Sequence, residues 1–178
     1  MKLHATTIVG LVYKGQAAMA GDGQVTFDDQ ILKTKAVKIR KMHNGKILAG
    51  FAGAAADALA LYELFEKKIE EYAGNLPKAS VELAKEWRTD KTLQKLEAVI
   101  AVADKQHIFL ISGNGDVVEP DDGIVAIGSG GGYALAAARA LITANPKLTA
   151  DKIAQTSLEI AAEICVFTNK NISMESIK

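Results

Sequence analysis

The sequence is short of the residues on which most enzyme classes depend. It has one cysteine, Cys165, in 178 residues. That excludes an internal disulfide and fits a reducing compartment. Between Ile164 and Val166, Cys165 reads as a buried apolar residue rather than a nucleophile. The three histidines, His4, His43 and His107, fall in a tail, a turn and a strand, with no spacing that suggests zinc. There is no G-x-S-x-G motif and no Cys-His arrangement with a local signature. By elimination, a hydrolase built on this chain needs an unusual nucleophile.

An excess of one charge is also lacking. Lys+Arg and Asp+Glu stand at 21 each, for a net charge of zero. That balance gives no sign of general affinity for nucleic acid or an anionic membrane. No apolar run is long enough to span a bilayer. Gly10, Tyr13, Lys14 and Gly15 come too early for a signal-peptide core, so a cytoplasmic protein is expected. Internal repeats, low-complexity segments and linkers are absent too. What remains is an ordinary globular composition, 49% apolar and 24% charged, at a length suited to one domain.

Residues 6–13 are β-branched and aromatic, and residues 16–20 can return after a Lys14-Gly15 turn. Gly21-Asp22-Gly23 is a sharp loop, and Asp28-Asp29-Gln30 is a polar break. Residues 35–41 alternate basic and apolar side chains and predict a strand. His43-Asn44-Gly45 then turns the chain into a partner strand at 46–51. Residues 54–72 carry Leu59, Tyr62, Leu64, Phe65 and Ile69 at helical spacing. A second helix begins near Pro77. Strands are expected at 97–103, 107–112, 117–118 and 124–127, helices at 133–144 and from Thr149 to about Cys165, and a last strand near Ile172. Blocks of strands followed by pairs of helices point to α+β architecture, a four-layer sandwich with helices outside and two antiparallel sheets inside.

Three features carry candidate chemistry. Gly128-Ser129-Gly130-Gly131-Gly132 lies between a strand and a helix. It can cradle phosphate, make a tight packing turn, or present Ser129 to a site. The dinucleotide pattern fits only partly, because its third glycine falls on Tyr133. Asp22 is either an ordinary turn aspartate or half of a pair. Lys38, sharing a strand face with Ala36 and Arg40, is either a solvated edge lysine or an inward one that needs a counter-charge.

The runs Thr6-Thr7-Ile8-Val9, Ala20-Gly21-Asp22-Gly23-Gln24, Val37-Lys38-Ile39-Arg40, Leu48-Ala49-Gly50-Phe51-Ala52-Gly53, Ala126-Ile127-Gly128-Ser129-Gly130-Gly131 and Ile164-Cys165-Val166-Phe167-Thr168-Asn169 follow one another as in a known family. In these, and over residues 4 to 172, the sequence resembles the HslV (ClpQ) peptidases, bacterial relatives of the proteasome β subunit. The resemblance implies the αββα sandwich of N-terminal nucleophile hydrolases and a threonine endopeptidase. Many such peptidases have only an initiator Met before the threonine, whereas this sequence has Met1 to Ala5, so a propeptide at residues 1–5 is expected, removed after Ala5 by self-processing, ahead of a peptidase domain at 6–178. Thr6 becomes the nucleophile and its own amine the base. Lys38 matches the active-site lysine, Asp22 the aspartate that holds it, Gly50 the oxyanion N–H and Ser129 a serine near the threonine amine. Carbonyls at Ala162, Cys165 and Thr168 match a monovalent cation site, usually sodium. The partners implied are protein substrates, a homo-oligomeric double hexameric ring and the ATPase HslU, with no ATP bound by this subunit. The competing readings are a small-molecule amidohydrolase of the same fold and an inactive ring subunit.

Overall fold

The structure is a computed structural model and describes residues 3–4, 6–53, 55–96 and 98–178. The expected cleavage after Ala5, helix start at 54 and strand start at 97 fall on residues outside that set.

Among the described residues the strands are β1 (Leu3–His4), β2 (Thr7–Tyr13), β3 (Gln16–Gly21), β4 (Val25–Phe27), β5 (Gln30–Lys33), β6 (Ile39–Met42), β7 (Ile47–Gly53), β8 (Ala98–Ala103), β9 (Ile108–Ser112), β10 (Val117–Val118), β11 (Ile124–Gly128) and β12 (Ser173–Ile177). The helices are α1 (Ala55–Glu71), α2 (Leu76–Thr89), α3 (Gly131–Ala144) and α4 (Ala150–Ile164). One sheet runs β10-β9-β8-β7-β6 and a second β11-β2-β3-β12, and both are antiparallel. A third, small sheet runs β1-β4-β5.

Period-two alternation sorts the side chains into three apolar layers. On β7, Ile47, Ala49 and Phe51 face α1 and α2 in a cluster with Leu61, Phe65, Leu83 and Trp87. Leu48 and Ala52, with Ala101 of β8, face the other sheet, where they meet Ile8 and Met19. On β2, Val9 and Leu11 turn the other way, toward Ala134, Ala138, Ile153 and Leu158 of α3 and α4. Central strands are therefore buried on both faces, which is why β2 and β3 read as almost continuous apolar runs. The α+β four-layer expectation holds, and no helix among the described residues is long and apolar enough to cross a membrane.

Helix ends follow local chemistry. Asn75 caps α2 by accepting from Lys78 N, and Thr149 caps α4 by accepting from Lys152 N. Two expectations need correction. Residues 30–33 form β5, the return strand of a hairpin, rather than extending a polar break. The strand expected over 35–41 begins only at Ile39. Before it, the chain is held by individual bonds, with Ala36 N donating to Gly23 O and Lys38 Nζ to Asp22 and Gln24, so there is no ladder for Lys38 to join.

Candidate active site

Asp22 directly follows β3 and is fully buried. A buried carboxylate must find donors, and four converge on it. Oδ1 accepts from Thr7 N at 2.8 Å and Lys38 Nζ at 2.7 Å. Oδ2 accepts from Gln24 N at 2.8 Å and Asn169 N at 3.3 Å. Asp22 is therefore not a solvated turn residue, and Lys38 is not a solvated edge lysine: its side chain is 8% exposed. Burial pushes the Lys38 ammonium below the ordinary lysine value, and the ion pair with Asp22 opposes that shift.

Thr6 stands at the foot of β2 and is 6% exposed. The glycine-rich turn clamps it. Ser129 N donates to Thr6 O at 2.9 Å, and Gly130 N to Thr7 Oγ1 at 2.8 Å. Thr7 Oγ1 also lies 2.6 Å from Thr168 Oγ1. Gly128 adopts φ +88, and a Cβ there would sit 1.9 Å from Thr6 O, so only glycine permits the approach. Two N–H groups of this turn are thus committed to Thr6 and Thr7. Ser129 is exposed and meets Thr6 through its backbone.

Thr6 and Lys38 line one cavity of about 270 Å³, with Val25, Ala36, Val37, Arg40, Phe51, Gly53, Ala58, Leu59 and Tyr62 as the rest of its wall. The cavity exists because β6 starts at Ile39, opposite Gly50, so residues 51–53 of β7 pair with β8 but not with β6. Gly50 lies at that opening. Glycine is needed there for packing between the sheets, because a Cβ would meet Met19 Sδ at 2.7 Å and Ile8 Cγ2 at 3.0 Å.

Ala162, Cys165 and Thr168 gather at the end of α4. Cys165 is buried, and its carbonyl accepts from Thr168 N at 3.0 Å. Helix ends leave carbonyls without intrahelical donors, which is the donor chemistry a hard monovalent cation takes. Sequence reasoning did not assign roles to Thr7, Gln24, Asn169, Arg40 and Tyr62. Thr7 and Asn169 stood inside quoted motifs, but their partners lie 15 to 161 positions away.

A model of the proteasome subunit family matches residues 2–177. The chain belongs to the proteasome subunit family. It is 58% identical to the ATP-dependent protease subunit HslV of Brevibacillus brevis over 177 residues, 99% of this chain and 98% of the relative. It is equally 58% identical to the ATP-dependent protease subunit ClpQ of Bacillus pumilus over 177 residues, 98% of each. Among solved structures, eukaryotic HslV from Trypanosoma brucei superposes with a TM-score of 0.90 at 43% identity, covering 97% of this chain and 99% of that one. The resemblance to HslV holds over the whole family domain, and the chain is a threonine-type peptidase subunit of an ATP-dependent protease.

Proposed function

We propose that residues 1–5 are removed by self-processing and that Thr6 then cuts peptide bonds as an N-terminal nucleophile. The convergence of Thr6 and the Asp22-held Lys38 on one cavity carries this reading. A hydroxyl alone is a weak nucleophile. The amine of a processed Thr6 would titrate near neutrality, at about 7.7–8.0 in a model peptide, and is suited to act as base. Lys38 sets a fixed positive charge beside it, favouring the unprotonated amine and the developing alkoxide. Thr6 Oγ bonds to the substrate carbonyl carbon as the amine takes its proton. The oxyanion faces the Gly50 N–H. The proton then passes to the departing amine, leaving an ester on Thr6 that water hydrolyses with the same base. Ser129 and Asp22 hold the main chain of Thr6 and Thr7 in place throughout.

Self-processing is supported by β1. Leu3 pairs with Phe27 and His4 with Thr26, so these two residues of the leader lie as a strand along β4, whose Val25 lines the cavity. A substrate strand entering the same way would bring its carbonyl to Thr6. Carbonyls of Ala162, Cys165 and Thr168 would hold the monovalent cation, sodium by the family's usage. Bound there, it would neutralise the negative end of α4 and brace the turn that carries Thr168 and Asn169.

The working form is a cytoplasmic double ring of two hexamers, to which the HslU ATPase docks and delivers unfolded protein. The name shared by the relatives supports a partner that spends ATP. The commitment of the Ser129 and Gly130 N–H groups supports a subunit that binds none. Mass spectrometry of active protein should find Thr6 at the N-terminus. Thr6→Ala should abolish cleavage of a small fluorogenic peptide with ring assembly intact, and retained turnover would refute the mechanism.

A further inference from the structure

Thr6 and Lys38 share their cavity with Tyr62 of α1 and Arg40 of β6. Tyr62 is 5% exposed. Its hydroxyl donates to the main-chain carbonyl of Lys38 at 2.9 Å. Its ring carries the Arg40 guanidinium, 4.8 Å from the centroid, and meets Phe51 of β7 with centroids 6.3 Å apart at 54°. Burial raises the phenol well above its ordinary value, against the opposing charge of Arg40, so it stays a donor wherever the enzyme works.

Lys38 lies one residue outside the ladder of β6, so strand pairing does not fix its main chain. Asp22 and Gln24 hold the ammonium end, and the Tyr62 hydroxyl holds the carbonyl end. An ammonium on a flexible stem is placed only as well as the main chain that carries it. Arg40 raises a second matter. A free guanidinium beside the nucleophile would attract acidic side chains. Seated on the Tyr62 ring, it keeps its charge and stays in the wall but is held against α1, while Val25, Ala36, Phe51, Ala58 and Leu59 make the apolar part of the wall.

We propose that Tyr62 is a positioning residue with two effects: its hydroxyl sets the place of Lys38, and its ring holds Arg40 so that the cavity selects apolar over acidic side chains. The inference rests on the reading of Lys38 given above. Through Tyr62, the position of α1 is coupled to the reacting end of the site.

The test uses the processed assembly with its ATPase partner in every arm, and fluorogenic peptides with an apolar or an acidic residue before the cleaved bond. Rates are taken per Thr6 site titrated with an irreversible peptide inhibitor, so that loss of folded protein does not register as loss of kcat. Tyr62→Phe removes the hydroxyl and keeps the ring. It is expected to lower kcat about three- to tenfold, the worth of one neutral hydrogen bond, with KM and the apolar preference unchanged. Tyr62→Leu also removes the seat of Arg40 and is expected to shift the preference toward the acidic peptide. Wild-type kcat per site in Tyr62→Phe overturns the hydroxyl's role, and an unchanged preference in folded Tyr62→Leu overturns the ring's. Should Tyr62→Leu fail to fold, Tyr62→Phe decides alone, because lost apolar preference with the ring intact would equally refute it. Lys38→Ala separates the two levels. Turnover retained there sinks the reading of Lys38 itself, whatever Tyr62→Phe shows.

Discussion

Two carboxylates in this molecule hold lysines at similar distances and do different things. Glu82, on the outer face of α2, is bonded by Lys78 at 3.0 Å and Lys85 at 2.8 Å, one helical turn to either side. All three residues come from a single helix, in contact with water. Asp22 is bonded by Lys38 at 2.7 Å, with a side-chain exposure of zero. Its other donors come from Thr7, Gln24 and Asn169. The surface triad staples one helix that would form without it. The buried pair ties together β2, the chain ahead of β6 and the turn after α4. An ion pair is costly to bury, and this one is explained by what it assembles rather than by the attraction between its charges.

The contrast can be broken at either end. Thr6→Ala should give the largest effect, loss of peptide cleavage by roughly three orders of magnitude or more, since it removes the proposed nucleophile. A peptide assay checks it. Asp22→Asn should follow. It leaves Lys38 buried without its counter-charge, and denaturant unfolding should show about 3–5 kcal/mol of lost stability, with cleavage close to background. A stability equal to wild type would mean that water already screens the pair. Gly128→Ala puts a side chain at φ +88 against the Thr6 carbonyl. About 1–3 kcal/mol is expected from the backbone strain alone, with a fall in kcat as Thr6 shifts. Glu82→Gln should be the mildest: no change in activity and a shift in Tm near replicate error at pH 7. Acid sharpens the comparison. The two lysines pull the Glu82 carboxyl down from 4.5 to about 2. Its stabilising contribution is therefore present above pH 4.5 and is lost as pH falls toward 2. In molar salt the Glu82 effect should vanish while the Asp22 effect persists, because a dry pair is screened far less.

Local features of the fold were legible in the sequence. The β2–β3 hairpin showed in β-branched residues around Lys14-Gly15, the β6–β7 turn in His43-Asn44-Gly45, and α1 in the spacing of its apolar side chains. What escaped was non-local or exposed. β5 is exposed along its length and carries no burial pattern to read. Lys38 looked like a strand residue because basic and apolar residues alternate around it, yet Asp22 and Gln24 take the segment out of the ladder. At the site, Asp22, Lys38 and Ser129 stood out as candidates from the residues alone, but their roles, and Thr6 and Gly50 altogether, came through resemblance, since spacing along the chain cannot show that Asp22 meets Asn169. Tyr62 was visible only as one more apolar position on α1. Its hydroxyl has a reason to be there only once Lys38 lies beneath it.

The donors around Asp22 also set a schedule. Thr7 and Asn169 belong to opposite ends of the chain, and the carboxylate that orders Lys38 is satisfied only when both are in place. A chain emerging from the ribosome carries its threonine from the first moments of synthesis, but has no site around it until residue 169 has been made and docked. On the proposed mechanism, a protease that would be hazardous half-made stays inert until nearly the whole of it exists.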